Sequence, residues 1–99
     1  MKIFTDANMV NEIHNKELDL GIVSAGEVKE FSFWALNETD ANLKNMRFST
    51  DHAEVEILKF PVELPPHTNG KLVLKWSPSI TLKQGLRTTL RIQAQELWG

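Results

Sequence analysis

Glu27-Val28-Lys29-Glu30-Phe31-Ser32-Phe33-Trp34-Ala35-Leu36-Asn37-Glu38 is the longest run with strand character in the chain. Phe31, Phe33 and Ala35 share one parity; Ser32, Trp34 and Leu36 share the other. Successive side chains of a strand point to opposite faces, so the two sets face opposite sides of a sheet. A half-buried strand carries polar residues on its second face. Glu30 and Ser32 obey that rule, whereas Trp34 and Leu36 break it. Either this strand is covered on both sides, or it shows an apolar patch to a partner.

Working outward, the same two-residue rhythm recurs. Leu18 to Val23 alternates, with Gly21 placed for a bulge and Gly26 for a tight turn. The cluster from Asn37 to Asn42 reads as a turn closed by Asn and Asp side chains. Leu43 to Thr50 reads as the next strand, with Leu43 out of phase with Met46 and Phe48, which places a bulge near Lys44. Val55, Ile57 and Lys59 follow in phase until Phe60-Pro61 and Leu64-Pro65-Pro66 stop the strand, since proline cannot donate to a ladder. Asn69-Gly70 reads as a turn. Leu72, Leu74 and Trp76 then share an apolar face, which assigns Trp76 to the core. From Leu86 to Glu96, Leu86, Thr88, Leu90, Ile92 and Ala94 face one way and Arg87, Thr89, Arg91, Gln93 and Gln95 the other.

Residues 1–16 are open to two readings. Asp6 can cap a short helix carrying Met9, Val10 and Ile13, or Ile3–Thr5 and Met9–Ile13 can be edge strands. About seven short strands, broken every 8–12 residues by turn residues, define an all-β chain with antiparallel sheets. The expected organisation is an N-terminal arm or edge segment over 1–16, irregular or briefly helical, followed by a β-sandwich over 17–99.

At 99 residues the chain is one domain's length. Its net charge of -2 and the lack of a Lys/Arg stripe argue against nucleic acid as a partner. With no cysteine there is no disulfide, thiolate nucleophile or Cys-based zinc site, which fits a reducing compartment. No apolar window is long enough to span a membrane, and Met1–Asp6 lacks the apolar segment of a signal peptide, so synthesis in the cytoplasm is expected.

No constellation for catalysis emerges. His14, His52 and His67 lie at no zinc-like spacing. Asp51-His52 beside Glu54 supplies too few oxygens for calcium, and Glu54 and Glu56 share a solvated strand face rather than a buried acid pair. No serine sits in a nucleophile-elbow frame, and no Gly-rich loop precedes a helix. The expectation is a non-enzyme without cofactor or metal.

The residues that stand out are candidates for protein contact. Trp34 and Leu36 exceed what a one-sided strand needs, Trp98 has nothing around it in sequence and follows Leu97, and aromatic residues concentrate interface energy. Arg87 and Arg91, four residues apart on one strand face, either pair with acids across the strand or meet an acidic partner. The partner-binding set is therefore Trp34, Leu36, Arg87, Arg91, Leu97 and Trp98.

One pattern spans residues 17–95. Leu18-x-Leu20-Gly21-x-Val23-x-x-Gly26 precedes a strand ending in Asn37. Leu43 follows, then Leu64-Pro65-Pro66 before Gly70, the Leu72-x-Leu74-x-Trp76-x-Pro78 strand, and Gly85-Leu86 leading into Leu90-x-Ile92. This resembles the immunoglobulin-like domains of the ASH (hydin-like) and major-sperm-protein type. The resemblance implies a seven-stranded immunoglobulin-like sandwich that binds other proteins and has no catalytic site. The chain departs from antibody-type domains in having neither a Cys pair nor any Tyr. As a small lone chain it also resembles accessory subunits of bacteriophage virions (decoration, neck or tail proteins), which implies a virion as its destination. The expected partner is a protein in a larger assembly, with self-association into a homo-oligomer the other arrangement open to it. A carbohydrate- or surface-binding sandwich module is the alternative function.

Overall fold

A computed structural model describes residues 1–98. Seven strands form: β1 (Lys2–Phe4), β2 (Glu17–Gly21), β3 (Lys29–Leu36), β4 (Asn42–Thr50), β5 (Val55–Lys59), β6 (Asn69–Trp76) and β7 (Leu86–Leu97). They make two antiparallel sheets, one of four strands in the order β1-β3-β6-β5 and one of three in the order β2-β7-β4.

The alternation seen in the sequence decides which side chains meet between the sheets. Phe33 and Ala35 of β3 and Leu72, Leu74 and Trp76 of β6 are buried from one sheet. Leu18 and Leu20 of β2, Leu43 and Met46 of β4, and Leu86 and Leu90 of β7 are buried from the other. Together with Ile3 and Leu64 they form one apolar cluster, the sandwich-like core expected of two amphipathic sheets. Trp76 lies at its centre, fully buried, with the His52 ring edge-on to its indole at 6.3 Å.

The irregularities fall where the sequence breaks its rhythm. β4 slips against β7 between Lys44 and Arg47, and Asn45 takes a φ of 51°, which lets Leu43 and Met46 both face inward despite their odd spacing. β2 slips against β7 between Asp19 and Gly21. Gly85 takes a φ of 80°, and a Cβ there would lie 3.0 Å from the carbonyl oxygen of Gly21.

Three expectations need correction. Of the two readings of residues 1–16, the edge strand holds at Lys2–Phe4 but not at Met9–Ile13, and no α-helix starts at Asp6; the described N-terminal residues hold only a single 3-10 turn, His14–Lys16. Asp6 instead closes the loop, its carboxylate accepting from the Val10 and Asn11 amides at 3.1 and 2.8 Å. Asn69-Gly70 is not a turn. Both residues belong to β6, paired with Leu36 and Ala35, and the positive φ of the preceding loop falls on His67. Gly70 is needed for close approach, because a Cβ would lie 2.8 Å from Cβ of Pro61. Lastly, Lys59 does not continue the inward set of Val55 and Ile57. A slip between Ile57 and Lys59 leaves it exposed.

Asn37 does more than close a turn. It is fully buried, and its Nδ2 donates to the carbonyls of Ala41, Leu64 and Pro65 at 2.8, 2.9 and 3.1 Å. Its Oδ1 accepts from the Thr39 amide and hydroxyl. The end of β3, the turn into β4 and the Pro65 loop are thereby fastened to one amide.

Candidate protein-interaction surface

The longest element defines the surface. β7 has twelve residues, whereas β2, its neighbour on one side, has five. β2 pairs only with the stretch Leu86–Thr89, and β4 pairs on the other side from Leu90 to Leu97. One edge of β7 is consequently paired over Leu86–Thr89 and unpaired beyond, and the burial of its inward side chains falls off in the same direction. Leu86, Thr88 and Leu90 are buried, Ile92 is half-buried and Ala94 is exposed.

A groove of about 240 Å³ opens beside this unpaired half. Its lining mixes the apolar side chains of Met1, Leu43, Ile92 and Ala94 with Thr39, one base, Lys16, and one acid, Glu96. No ion pair involves Lys16 or Glu96 among the described residues. At the far end of β7, Leu97 and Trp98 are 48% and 66% exposed.

The six sequence candidates fall in three places. Trp34 and Leu36 lie half-buried on the outer face of the four-stranded sheet. Trp34 stands opposite Phe4 on one side and Lys71 on the other, whose Nζ is 5.9 Å from its ring centroid. The N-terminal segment therefore flanks these residues edge-on through β1. Arg87, Arg91 and Leu97 share the outward parity of β7, with Trp98 just beyond. Arg87 reaches Glu17 at 3.7 Å and Asp19 at 4.0 Å across the β2 ladder. Arg91 stands opposite Ser49 and its charge is felt by Asp51. The two sheets thus separate Trp34 and Leu36 from the other four.

Sequence reasoning missed the groove. Lys16 and Glu96 carry no local signal, and Ala94 reads as one more member of the apolar face of its strand. The signal was the unequal length of the strands at 18–23 and 86–96, which leaves half of the longer one without a neighbour.

The shifted acids lie away from the groove or at its margin. Asp51 is held below the usual carboxylate range by the Thr88 hydroxyl and by the Thr89 amide at 3.0 Å. Glu54 is lowered first by the Ser79 side chain, against a smaller upward pull from burial, and further by the Ser79 amide, which donates to it at 3.0 Å. Partial burial pulls Glu38 upward, but its 2.8 Å bond to the Met1 ammonium and the backbone outweigh that and leave it lowered. All three are charged acceptors in the fold, not the raised acids that proton transfer uses. Among the described residues no group of three His, Cys, Asp or Glu side chains is placed to hold a metal ion. No described helix is long and apolar enough to cross a membrane.

No protein-family model matches the chain, and neither a curated protein nor a solved structure matches it significantly.

Proposed function

We propose that this chain is a non-enzymatic, immunoglobulin-like subunit that binds other protein chains within a larger assembly, with a phage virion as its setting. The strand order supports the immunoglobulin-like reading. A constant-type immunoglobulin domain arranges its strands ABED in one sheet and CFG in the other. Here β1-β3-β6-β5 takes the place of ABED and β4-β7 the place of CF. β2, from early in the chain, occupies the position of the last strand.

The observation that carries the binding role is the half of β7 that β2 leaves unpaired, with the groove at Ile92 and Ala94 and the exposed Leu97 and Trp98 beside it. Adding a strand to an open sheet edge gives affinity through the backbone and specificity through the alternate side-chain pockets. A large exposed aromatic next to that edge supplies the anchor that interfaces concentrate their energy on.

The test is the native mass of the protein isolated from its source. Elution in fixed stoichiometry with a large complex is expected, and Trp98→Ala should release folded protein from it. Elution as a free 11.3 kDa chain overturns the reading.

A further inference from the structure

Proteins protect their sheet edges, because an unpaired row of N–H and C=O groups recruits any passing strand. Four edges of this molecule are protected. β1 is closed by the Phe4–Glu12 bridge and by the Ile13 amide on the Ile3 carbonyl at 2.7 Å. β4 is covered by Val62 and Leu64, which bond Met46 and Leu43. β5 is slipped after Ile57 and followed by Pro61. β2 is five residues long, ends in a bulge at Gly21 and carries Glu17 and Asp19. The half of β7 from Ile92 to Leu97 is the least protected: it carries one acid, Glu96, and the turn His14–Lys16 lies against the strand, but it has no proline, no lysine, no bulge in its own backbone and no segment hydrogen-bonded along its open side among the described residues.

The polarity of that edge can be read off. The Thr89 amide points to Asp51, on the β4 side. In a strand the backbone groups of alternate residues point to opposite neighbours. Those of Ile92, Ala94 and Glu96 therefore face the open side.

We infer that this edge pairs with the same edge of a second copy of the chain across a twofold axis, joining two three-stranded sheets into one. An antiparallel register with Gln95 opposite its own copy sets Ala94 against Glu96 of the other molecule and Ile92 against Trp98. Every one of those residues except Gln95 has even parity, so the outward-facing backbone groups meet each other. Trp98 shares the inward parity of Ile92 and Ala94, so its indole enters the groove beside Ile92 of the other copy. Glu96 enters alongside it, at the groove whose rim carries Lys16. The edge thus carries both halves of one contact: a groove with apolar side chains and a base, Lys16, outside any ion pair among the described residues, and an aromatic anchor with an acid, Glu96, likewise outside one. That self-complementarity is what a twofold interface requires.

This names a partner for the interaction reading above and rests on it, but the two fail separately. Sedimentation equilibrium of the purified chain over rising concentration is expected to show a dimer of twice 11.3 kDa. Ala94→Pro removes an amide that faces only the open edge, so it leaves the β4 ladder intact and should return the protein to monomer with an unchanged near-ultraviolet spectrum. Glu96→Lys should weaken association about tenfold by facing Lys16 with a like charge, and Lys16→Glu in the same chain should restore it. Gln95→Cys, the only cysteine then present, should cross-link under mild oxidation, since directly opposed non-hydrogen-bonded residues lie about 4.5 Å apart at Cα. A monomer at every concentration overturns the inference, even where native isolation finds the protein in a complex. So does a dimer that ignores Ala94→Pro and does not cross-link through Gln95→Cys.

Discussion

At the scale of single residues, two buried polar atoms have opposite consequences. The Asn37 side chain offers two hydrogens to three carbonyls at 2.8 to 3.1 Å. Asn37→Ala removes both and leaves those carbonyls short of a donor, so a loss of about 2–4 kcal/mol in a urea titration is expected. Asn37→Asp should cost more at pH 7, because it turns a carboxylate toward three oxygens. Burial among acceptors raises that carboxyl in the folded state. Its penalty is therefore smallest at low pH and grows as the pH rises, so the gap between the Asp and Ala variants should narrow in acid. Trp76 presents the opposite case. Its indole Nε1 is buried with no hydrogen-bond partner among the described residues. Trp76→Phe gives up volume but also removes that orphan donor. It should cost no more than about 2 kcal/mol, against about 3–5 kcal/mol for Trp76→Ala, by the same titration. Neither effect is legible from alternation. The apolar pattern identifies Trp76 as core but says nothing of its nitrogen. Asn37 looks like any turn asparagine, because the carbonyls it serves are contributed by residues up to 28 positions away.

At the scale of elements, the strands were legible and their ends were not. Phe33 and Ala35 of β3, and Leu72, Leu74 and Trp76 of β6, alternate without interruption and are all buried as expected. The misplacements sit where tertiary contact overrides a local signal. Asn69-Gly70 has the composition of a turn, yet β6 begins there because Pro61 packs against the glycine. Ala94 continues the inward parity of β7 but is exposed, because β2 is too short to accompany it. Residues 5–13 show helical spacing, but the Asp6 carboxylate ties the Val10 and Asn11 amides into a closed loop instead. The joint between β4 and β7 also depends on an acid. Asp51 accepts from the Thr88 hydroxyl and the Thr89 amide, and its pKa is lowered in the folded state. A lowered carboxyl stabilises the fold fully above its unfolded pKa, and that contribution is lost as the pH falls through the lower folded value. Asp51→Asn should therefore be less stable than the parent at neutral pH. The difference should shrink below about pH 4 and vanish at still lower pH, which denaturant melts across the acid range would show. A difference that stays constant with pH would mean that the carboxylate's charge contributes nothing.

At the scale of the whole molecule, the tryptophans report on three separate places. Trp76 is enclosed in the core, Trp34 is half-buried on the outer face of the four-stranded sheet, and Trp98 is exposed beyond β7. The two surface residues should therefore behave differently when truncated. Trp34 sits between Phe4 and Lys71 in the ladder, so Trp34→Ala loses cross-strand packing within its own chain. It is expected to lower stability by about 1–2 kcal/mol. Trp98→Ala removes a side chain that touches little of its own domain, so the thermal midpoint should hold to within the change of about 0.5 kcal/mol typical of surface positions. Association should respond in the reverse order. If β7 is the docking edge, Trp98→Ala loses the anchor and dissociates the assembled form, whereas Trp34→Ala, on the opposite sheet, leaves assembly in proportion to the folded fraction. Fluorescence separates the two without reference to any particular partner. On assembly the emission should shift to the blue and acrylamide quenching should fall. Both changes should be absent in Trp98→Phe and retained in Trp34→Phe. Retention of the shift in Trp98→Phe together with its loss in Trp34→Phe would move the contact to the four-stranded sheet, where the outer face already carries Trp34 and Leu36 beside Lys71.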